Sequence, residues 1–417
     1  MAKFQWFDGN LGFYGYDQLT AYVADTRTTT GMVLEYDISG GALDPAHFAA
    51  AIQLTYSGYT SYIVEDGPDA GSVRVTSGTL TGISYLDASG AVLLDISNLR
   101  VMLPIFLATL ARGDAFSAWS MVTHFANSVT GSSDASGPGH AGTGDVIDTG
   151  HGADNVNALG GDDYIMDQGG VDGYSGGTGF DTVSYDGWYF QPQNVLRGLL
   201  VDLGLGTITG PDGFIDSVTG IDAVSGTFMA DNFKGNAGAN KFEGFGGADI
   251  FDGRGGFDMV SYGREAARGG TDGIRVNLLT GSVRDGFGKI DRVISIEGIE
   301  GTAVHDTFYD NVLDNYFNGA GGADAFHFGA GNDSAHGGAG ADTFFFRGTS
   351  FGNDTIDDFS HADGDRVIIE SATAFNQLII STVVLDGKLA AFVQFGGSTL
   401  TMLGLSGTDL TAADFGF

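Results

Sequence analysis

From residue 140 to 184 the apolar positions recur on a nine-residue beat. Ile147, Val156, Ile165, Tyr174 and Val183 each follow an aspartate by two residues; the aspartates are Asp145, Asp154, Asp163, Asp172 and Asp181. Glycines crowd the loops between, most fully in Gly176-Gly177-Thr178-Gly179-Phe180-Asp181-Thr182-Val183-Ser184. A polar–apolar–polar triplet is a minimal strand, one side chain in and two out. Glycine supplies the positive-φ turns that so short a loop requires. Two nonapeptides therefore make one coil of 18 residues, and loops 18 apart stack about one strand spacing (4.8 Å) along the axis.

The beat returns twice. A second block has Asp231, Asn240, Asp249 and Asp258, with Phe233, Phe242, Phe251 and Val260 at the apolar positions. A third has Asp306, Asn315, Asp324, Asp333 and Asp342, with Phe308, Phe317, Phe326, Ala335 and Phe344. The phenylalanine series reads as a stacked core, because its period is that of the coil. A longer repeat contains these blocks: Val201, Asp202, Leu203, Asp216, Gly226, Asp231, Asn240, Asp249 and Asp258 match positions 75 further on, with Asn277 answering Asp202. Phe180–Tyr185 matches Phe257–Tyr262 at an offset of 77, so a variable excursion (186–198 and 263–273) follows each shared Ser-Tyr. Trp188, Tyr189 and Phe190 in the first excursion offer an interaction surface that differs between modules. Between excursion and roll the pattern predicts a metal-poor strand region. Tandem modules favour an elongated shape.

Stacking by 18 sets Asp145 beside Asp163, Asp154 beside Asp172, and Asp163 beside Asp181. Carboxylates that close repel unless a cation lies between them. Carboxylate and carbonyl oxygens at roughly 2.3–2.6 Å suit Ca²⁺, whereas Mg²⁺ demands a stricter octahedron. Asn240 and Asn315 keep a carbonyl ligand without the charge, so sites there should be weaker. The fourteen Asp and Asn positions on the nine-residue beat are candidate metal ligands. The pattern G-G-x-G-x-D-x-U-x, with U apolar, resembles the nonapeptide of the RTX (repeats-in-toxin) calcium-binding proteins. That resemblance implies a mainly β chain built on a parallel β-roll, a calcium-stapled solenoid in three blocks, loaded with several Ca²⁺ ions. It also implies secretion by a type I system.

Composition agrees. The chain has 417 residues, 70 of them Gly, yet 42% are hydrophobic and 31 are Phe, which argues against disorder. Net charge is −34; residues 1–130 carry 12 acidic and 5 basic side chains, leaving 40 and 13 for residues 131–417. The repeats thus hold the excess that bound cations would neutralise. So acidic a chain is a poor partner for nucleic acid. With no cysteine, disulfides and thiolate chemistry are excluded.

The flanks are read more coarsely. Residues 1–130 are non-repetitive and suggest a small α+β or β-sandwich-like domain. Expected helices cover 17–23, 44–54 (Asp44 as cap, Pro45 at the first turn), 104–111 and a stretch capped by Asp114 that carries Phe116, Trp119 and Phe125. Expected strands are Ser61–Glu65, Ser72–Ser77, Gly82–Leu86 and Val92–Ile96, with a hairpin turn at Asp87–Gly90. The stretch from Ser77 to Ile96, followed by a helix, resembles leaders that precede RTX repeats. After a polar linker (128–139) come the first roll block, 140–184, and two tandem modules, 185–345. Residues 346–417 read as a cap. Within it Gly352–Phe359 and Asp363–Ile369 resemble the segment that closes an RTX roll, and strands are expected at Gln377–Leu385, Leu389–Phe395 and Ser398–Leu403. Asp409–Phe417 resembles a C-terminal type I secretion signal, and a capping strand is the other reading. The N-terminus lacks the apolar core of a Sec signal, and the apolar run 101–111 is too short to span a bilayer. Calcium sites of the extracellular kind fill at about 10⁻⁴–10⁻³ M, which places their loading outside the cell.

Catalytic motifs are scarce. No HExxH occurs, and His151, His327 and His336 sit in repeat loops or strand flanks. Gly173–Gly177 and Gly348–Gly352 match G-x-S-x-G, but neither has the strand–turn–helix context of a nucleophile elbow. The expectation is therefore a non-enzymatic, secreted or surface-associated structural or adhesive protein, such as a surface-layer, matrix or filament subunit. Its expected partners are calcium, the type I machinery, and copies of itself or a cell-surface glycan. The competing expectation is a haem or carbohydrate binder, or an enzyme, in residues 1–130, using Tyr14, Tyr16, Tyr22, Tyr36, Tyr56, Tyr59 and Tyr62.

Overall fold

The structure is a computed structural model that describes residues 22–27, 31–36, 51–63, 73–86, 92–102, 128–130, 144, 146–149, 152–187 and 197–417. The chain divides into two compact units, residues 1–194 with 206–224, and residues 195–205 with 225–417.

The first unit opens with an antiparallel meander of β1 (Tyr22–Arg27), β2 (Gly31–Tyr36), β3 (Ala51–Ile63), β4 (Val73–Leu86) and β5 (Val92–Met102). Three expectations are corrected here. Ala51–Leu54 lie on β3, not on a helix, and Tyr22 and Val23 lie on β1. Alanine is a strong helix former, but intrinsic propensity is a small term, and a strand paired on both edges, as β3 is with β2 and β4, outweighs it. Ser72–Ser77 and Gly82–Leu86 belong to one long strand, β4, whose ladder with β3 absorbs the intervening glycine and threonines through register shifts. Leu86 pairs antiparallel with Val92, and the turn expected at 87–90 lies outside the described residues. The helices expected at 104–111 and after Asp114 lie outside the described residues, as do the first excursion's aromatic residues.

A sixth strand, β6 (Ser128–Thr130), joins the two styles of pairing. It runs antiparallel to β5 and parallel to Asn155–Asn157. From there the nine-residue beat governs the chain. Val146–Asp148, Tyr164–Met166 and Thr182–Ser184 form one parallel row; Asn155–Asn157, Gly173–Ser175 and Ile215–Thr219 form the other. Each triplet buries its middle residue, so Ile147, Val156, Ile165, Tyr174 and Val183 fill the space between rows. A Cβ on Gly179 would collide with the carbonyl of Gly161, one coil below, and Gly179 has φ +130°. Only glycine lets loops approach that closely.

The second unit repeats the plan with a larger core. One row runs Lys241–Glu243, Met259–Ser261, Gly298–Glu300, Tyr316–Asn318, Ser334–His336, Asn353–Ile356 and Ser398–Leu403. The other starts as Leu200–Asp202, Asn232–Lys234, Ile250–Asp252 and Ile290–Ile294. There the metal-poor region enters: Ser282–Arg284 pairs antiparallel with both Ile290–Ile294 and Arg275–Asn277. Two reversals restore the direction, and the row resumes in parallel through Thr307–Tyr309, Ala325–Phe328, Thr343–Phe346, Arg366–Ile369 and Phe415–Gly416. Phe415–Gly416 is a strand of this row, with Phe415 buried.

Phenylalanine stacking follows from this register. Phe308 and Phe326 lie 4.9 Å apart with planes 3° from parallel, and Phe326 and Phe344 lie 5.0 Å apart at 10°. These separations equal the strand spacing, so the backbone ladder dictates the ring ladder. Each ring, fully buried, contributes roughly 1.5–3 kcal/mol of burial plus about 0.5–1.5 kcal/mol per aromatic pair.

Candidate metal centre

The aspartates form ladders along the loops. Each one's backbone N–H donates to a carboxylate oxygen of the next coil: Asp154 to Asp172 (2.6 Å), Asp163 to Asp181 (2.9 Å), Asp231 to Asp249 (2.8 Å) and Asn240 to Asp258 (2.8 Å). The third block continues with Asp306 to Asp324 (2.7 Å), Asn315 to Asp333 (2.8 Å) and Asp324 to Asp342 (2.8 Å). One oxygen of each carboxylate is thereby committed to backbone. The other has no donor in Asp181, Asp249, Asp258, Asp324, Asp333 and Asp342, and is buried.

A buried oxygen that only accepts is costly when ionised. Burial foremost pushes these carboxyls up from 3.8: Asp249 to about 10, with Asp231 and Asp291 adding repulsion, Asp324 to about 8, Asp333 to about 7 and Asp258 to about 6. A row of such oxygens needs protons or cations. Hard, acceptor-only carboxylates beside glycine-loop carbonyls are the donors that Ca²⁺ takes in six- to eightfold coordination, and the residues present fit it.

Four expected ligands differ. Asp231 accepts from the N–H of Leu199 (2.6 Å) on one oxygen and of Thr227 (2.7 Å) on the other. Asp306 does the same with Ile274 (2.6 Å) and Thr302 (2.7 Å). The amide oxygens of Asn240 and Asn315 accept from Asn236 and Asn311 of their own loops (2.8 and 3.1 Å). For Asp231 and Asp306 the preceding strands are Leu200–Asp202 and Arg275–Asn277, where Leu199 and Ile274 supply the ladder N–H in place of an aspartate. Asp172 shares its second oxygen with the Tyr174 hydroxyl (3.1 Å). Asp145 lies outside the described residues.

The ladders also reach residues beyond the beat. Asp172 donates its N–H to Asp216 and Asp249 to Asp291 (both 2.9 Å), while Asp333 donates to Asp354 (2.9 Å) and Asp342 to Asp365 (3.0 Å). Asp354 keeps a buried donor-free oxygen and is raised by burial to about 8. At Asp216 and Asp291 the second oxygen accepts the hydroxyls of Tyr185 (2.7 Å) and Tyr262 (3.1 Å). A tyrosine thus closes the ladder where the excursion interrupts the roll. The 75-residue match of Asp216 with Asp291 and the shared Ser-Tyr were the available signals. Asp354 and Asp365 had none, since they lie 21 and 23 residues beyond their partners instead of 18.

The family model described as the RTX calcium-binding nonapeptide repeat (4 copies) matches residues 225–260, 300–335 and 318–348. The chain carries RTX calcium-binding nonapeptide repeats. Such repeats bind Ca²⁺, and residues 152–184 show the same ladder outside the matched spans. No curated protein matches the chain. Among solved structures, the R3 subunit of the AlgE6 mannuronan C5-epimerase of Azotobacter vinelandii is 21% identical. That likeness covers 27% of this chain and 78% of that one, with a TM-score of 0.13. The extracellular lipase LipA of Serratia marcescens is 13% identical over 86% of this chain and 85% of that one, with a TM-score of 0.18. Among the described residues no helix is long and apolar enough to cross a membrane.

Proposed function

We propose that this RTX chain is a secreted structural or adhesive protein whose roll loads with calcium outside the cell and assembles with further copies of itself. Asp181, Asp249, Asp258, Asp324, Asp333, Asp342 and Asp354 hold the ions through their donor-free oxygens, and neutralising them drives folding. Before loading, repulsion among the acidic residues opposes compaction. The C-terminal residues serve as both capping strand and type I secretion signal. Residues 1–130, with the first excursion, meet the surface partner.

One observation supports assembly above the others. Ile379–Leu385, of sequence IISTVVL, is an uncharged strand that, among the described residues, pairs on one side only, with Lys388–Phe395. The Thr382 hydroxyl bonds the Ser406–Gly407 turn, and Ile379 and Val384 are 66% and 64% exposed. Soluble proteins blunt such edges with charge, proline or cover, because an open apolar edge templates pairing with another chain.

Negative-stain microscopy of the purified chain with and without millimolar calcium tests this reading. Lattices or filaments that form only with calcium are expected. A calcium-loaded chain that stays monomeric at every concentration overturns it, and a visible absorption band would point instead to a ligand carrier in residues 1–130.

A further inference from the structure

The second excursion brings an acid to the roll from outside the nonapeptides. Residues 263–273 turn through Ala266–Arg268 and are tied back by the N–H groups of Thr271 and Asp272, both donating to the Gly286 carbonyl (3.0 and 3.2 Å). This sets Glu265 against the hairpin turn that starts at Asp285. Both side chains are buried, at 1% and 0% exposure. One oxygen of each is committed: Glu265 Oε2 accepts the Gly286 N–H (2.7 Å), and Asp285 Oδ1 closes its turn on the N–H groups of Phe287 (3.1 Å) and Lys289. The other two oxygens, Glu265 Oε1 and Asp285 Oδ2, are buried with no donor. Gly286 permits the approach, since a Cβ there would strike Glu265 Oε2 and the Asp272 carbonyl.

Their surroundings are acidic. Burial, and after it the charges of Asp285, Asp291 and Asp306, raises the Glu265 carboxyl to about 9. Asp285 also acts on Asp249, whose own Oδ2 lacks a donor, while Asp291 is already closed by Tyr262. Lys289 offsets part of the Asp285 charge, but its side chain is exposed. The first module has no counterpart: Gly210 stands 75 residues before Asp285, and Phe190 and Trp188 stand 75 and 77 before Glu265.

We propose that Glu265 and Asp285 form a calcium site outside the nonapeptide loops, particular to the second module, which carries cation binding past the point where Tyr262 closes the Asp249–Asp291 ladder. The acids come from two segments that join only when the excursion docks. The ion therefore fastens the excursion to the hairpin. Two hard carboxylate oxygens favour Ca²⁺ over softer metals.

The test counts calcium per chain by native mass spectrometry on the full protein at saturating calcium. The double variant Glu265→Gln/Asp285→Asn preserves shape and both turn-closing acceptors, and it should hold one ion fewer than the parent with an unchanged β circular-dichroism spectrum. An equal count overturns the proposal. So does a carboxylic-acid infrared band in the calcium-loaded parent that vanishes in Glu265→Gln, because the pair then shares a proton. If the double variant does not fold, Glu265→Gln alone carries the test. Loss or weakening of one ion in its calcium titration is expected, and an unaltered titration overturns the assignment.

Discussion

Replacing Asp324 with Asn should change stability in opposite directions with and without calcium. Asp324 is 1% exposed, accepts the Asp306 N–H on Oδ1, and has no donor on Oδ2. Burial, then the charges of Asp306 and Asp342, raises its carboxyl from 3.8 to about 8. In the calcium-free chain at pH 7 the unfolded carboxyl is ionised, and folding must return its proton. The penalty spans the roughly 3 pH units between 3.8 and 7 at about 1.4 kcal/mol each, or ~4 kcal/mol. Water penetration and the higher effective dielectric of real interiors reduce this to about 2 kcal/mol. Asparagine has no charge to neutralise and can still accept the Asp306 N–H. Asp324→Asn should therefore stabilise the chelated protein by about 2–4 kcal/mol. With calcium the same change removes an ionic partner from a buried site and should cost about 3 kcal/mol. Urea unfolding followed by circular dichroism measures the calcium form; osmolyte-driven folding measures the chelated form if it is unfolded in buffer. The same sign in both conditions would refute the cation-between-carboxylates reasoning.

Acid should partly substitute for calcium. The folded values of Asp249 (about 10), Asp324 and Asp354 (about 8), and Asp231, Asp291 and Asp333 (about 7) lie above the unfolded 3.8. Between 3.8 and those values the folded state binds more protons. Calcium-free stability thus falls as pH rises, by about 1.4 kcal/mol per pH unit for each such group. A chelated chain moved from pH 8 to pH 5 should gain β signal in circular dichroism, and one that loses it contradicts the burial of these carboxyls. Phe326→Ala removes a ring stacked on both Phe308 and Phe344 and should cost about 3–5 kcal/mol in the calcium form by urea titration. A cost below about 1 kcal/mol would mean that the third block's core is loose.

Legibility varied with how local the cause was. The ladder from Asp163 to Asp181 was readable because an unbroken 18-residue coil brings residues together by chain geometry alone. The rung from Asp342 to Asp365 was not, because a longer loop spoils the count while leaving the stacking intact. Asp231 and Asp249 look alike in the repeat, yet Leu199 and Thr227 supply donors to Asp231 and nothing supplies one to Asp249 Oδ2. The helix expected over 44–54 illustrates the opposite limit. Alanine content and a capping pair are local arguments, and the partners that hold Ala51–Leu54 in β3 come from distant segments.

By itself the sequence determined the nine-residue beat, and with it the triplet strands, the inward apolar ladder, the glycine loops and a surplus of negative charge that calls for calcium. Those properties follow from side-chain alternation and backbone freedom within a few residues. The tertiary structure alone decided which carboxylate oxygens are left without donors and how two antiparallel reversals carry the roll through the second module. It also decided that Tyr185 and Tyr262 close ladders, and that Glu265 meets the turn of Asp285. Each of these is a contact between segments whose separation in the chain carries no fixed relation to their distance in space.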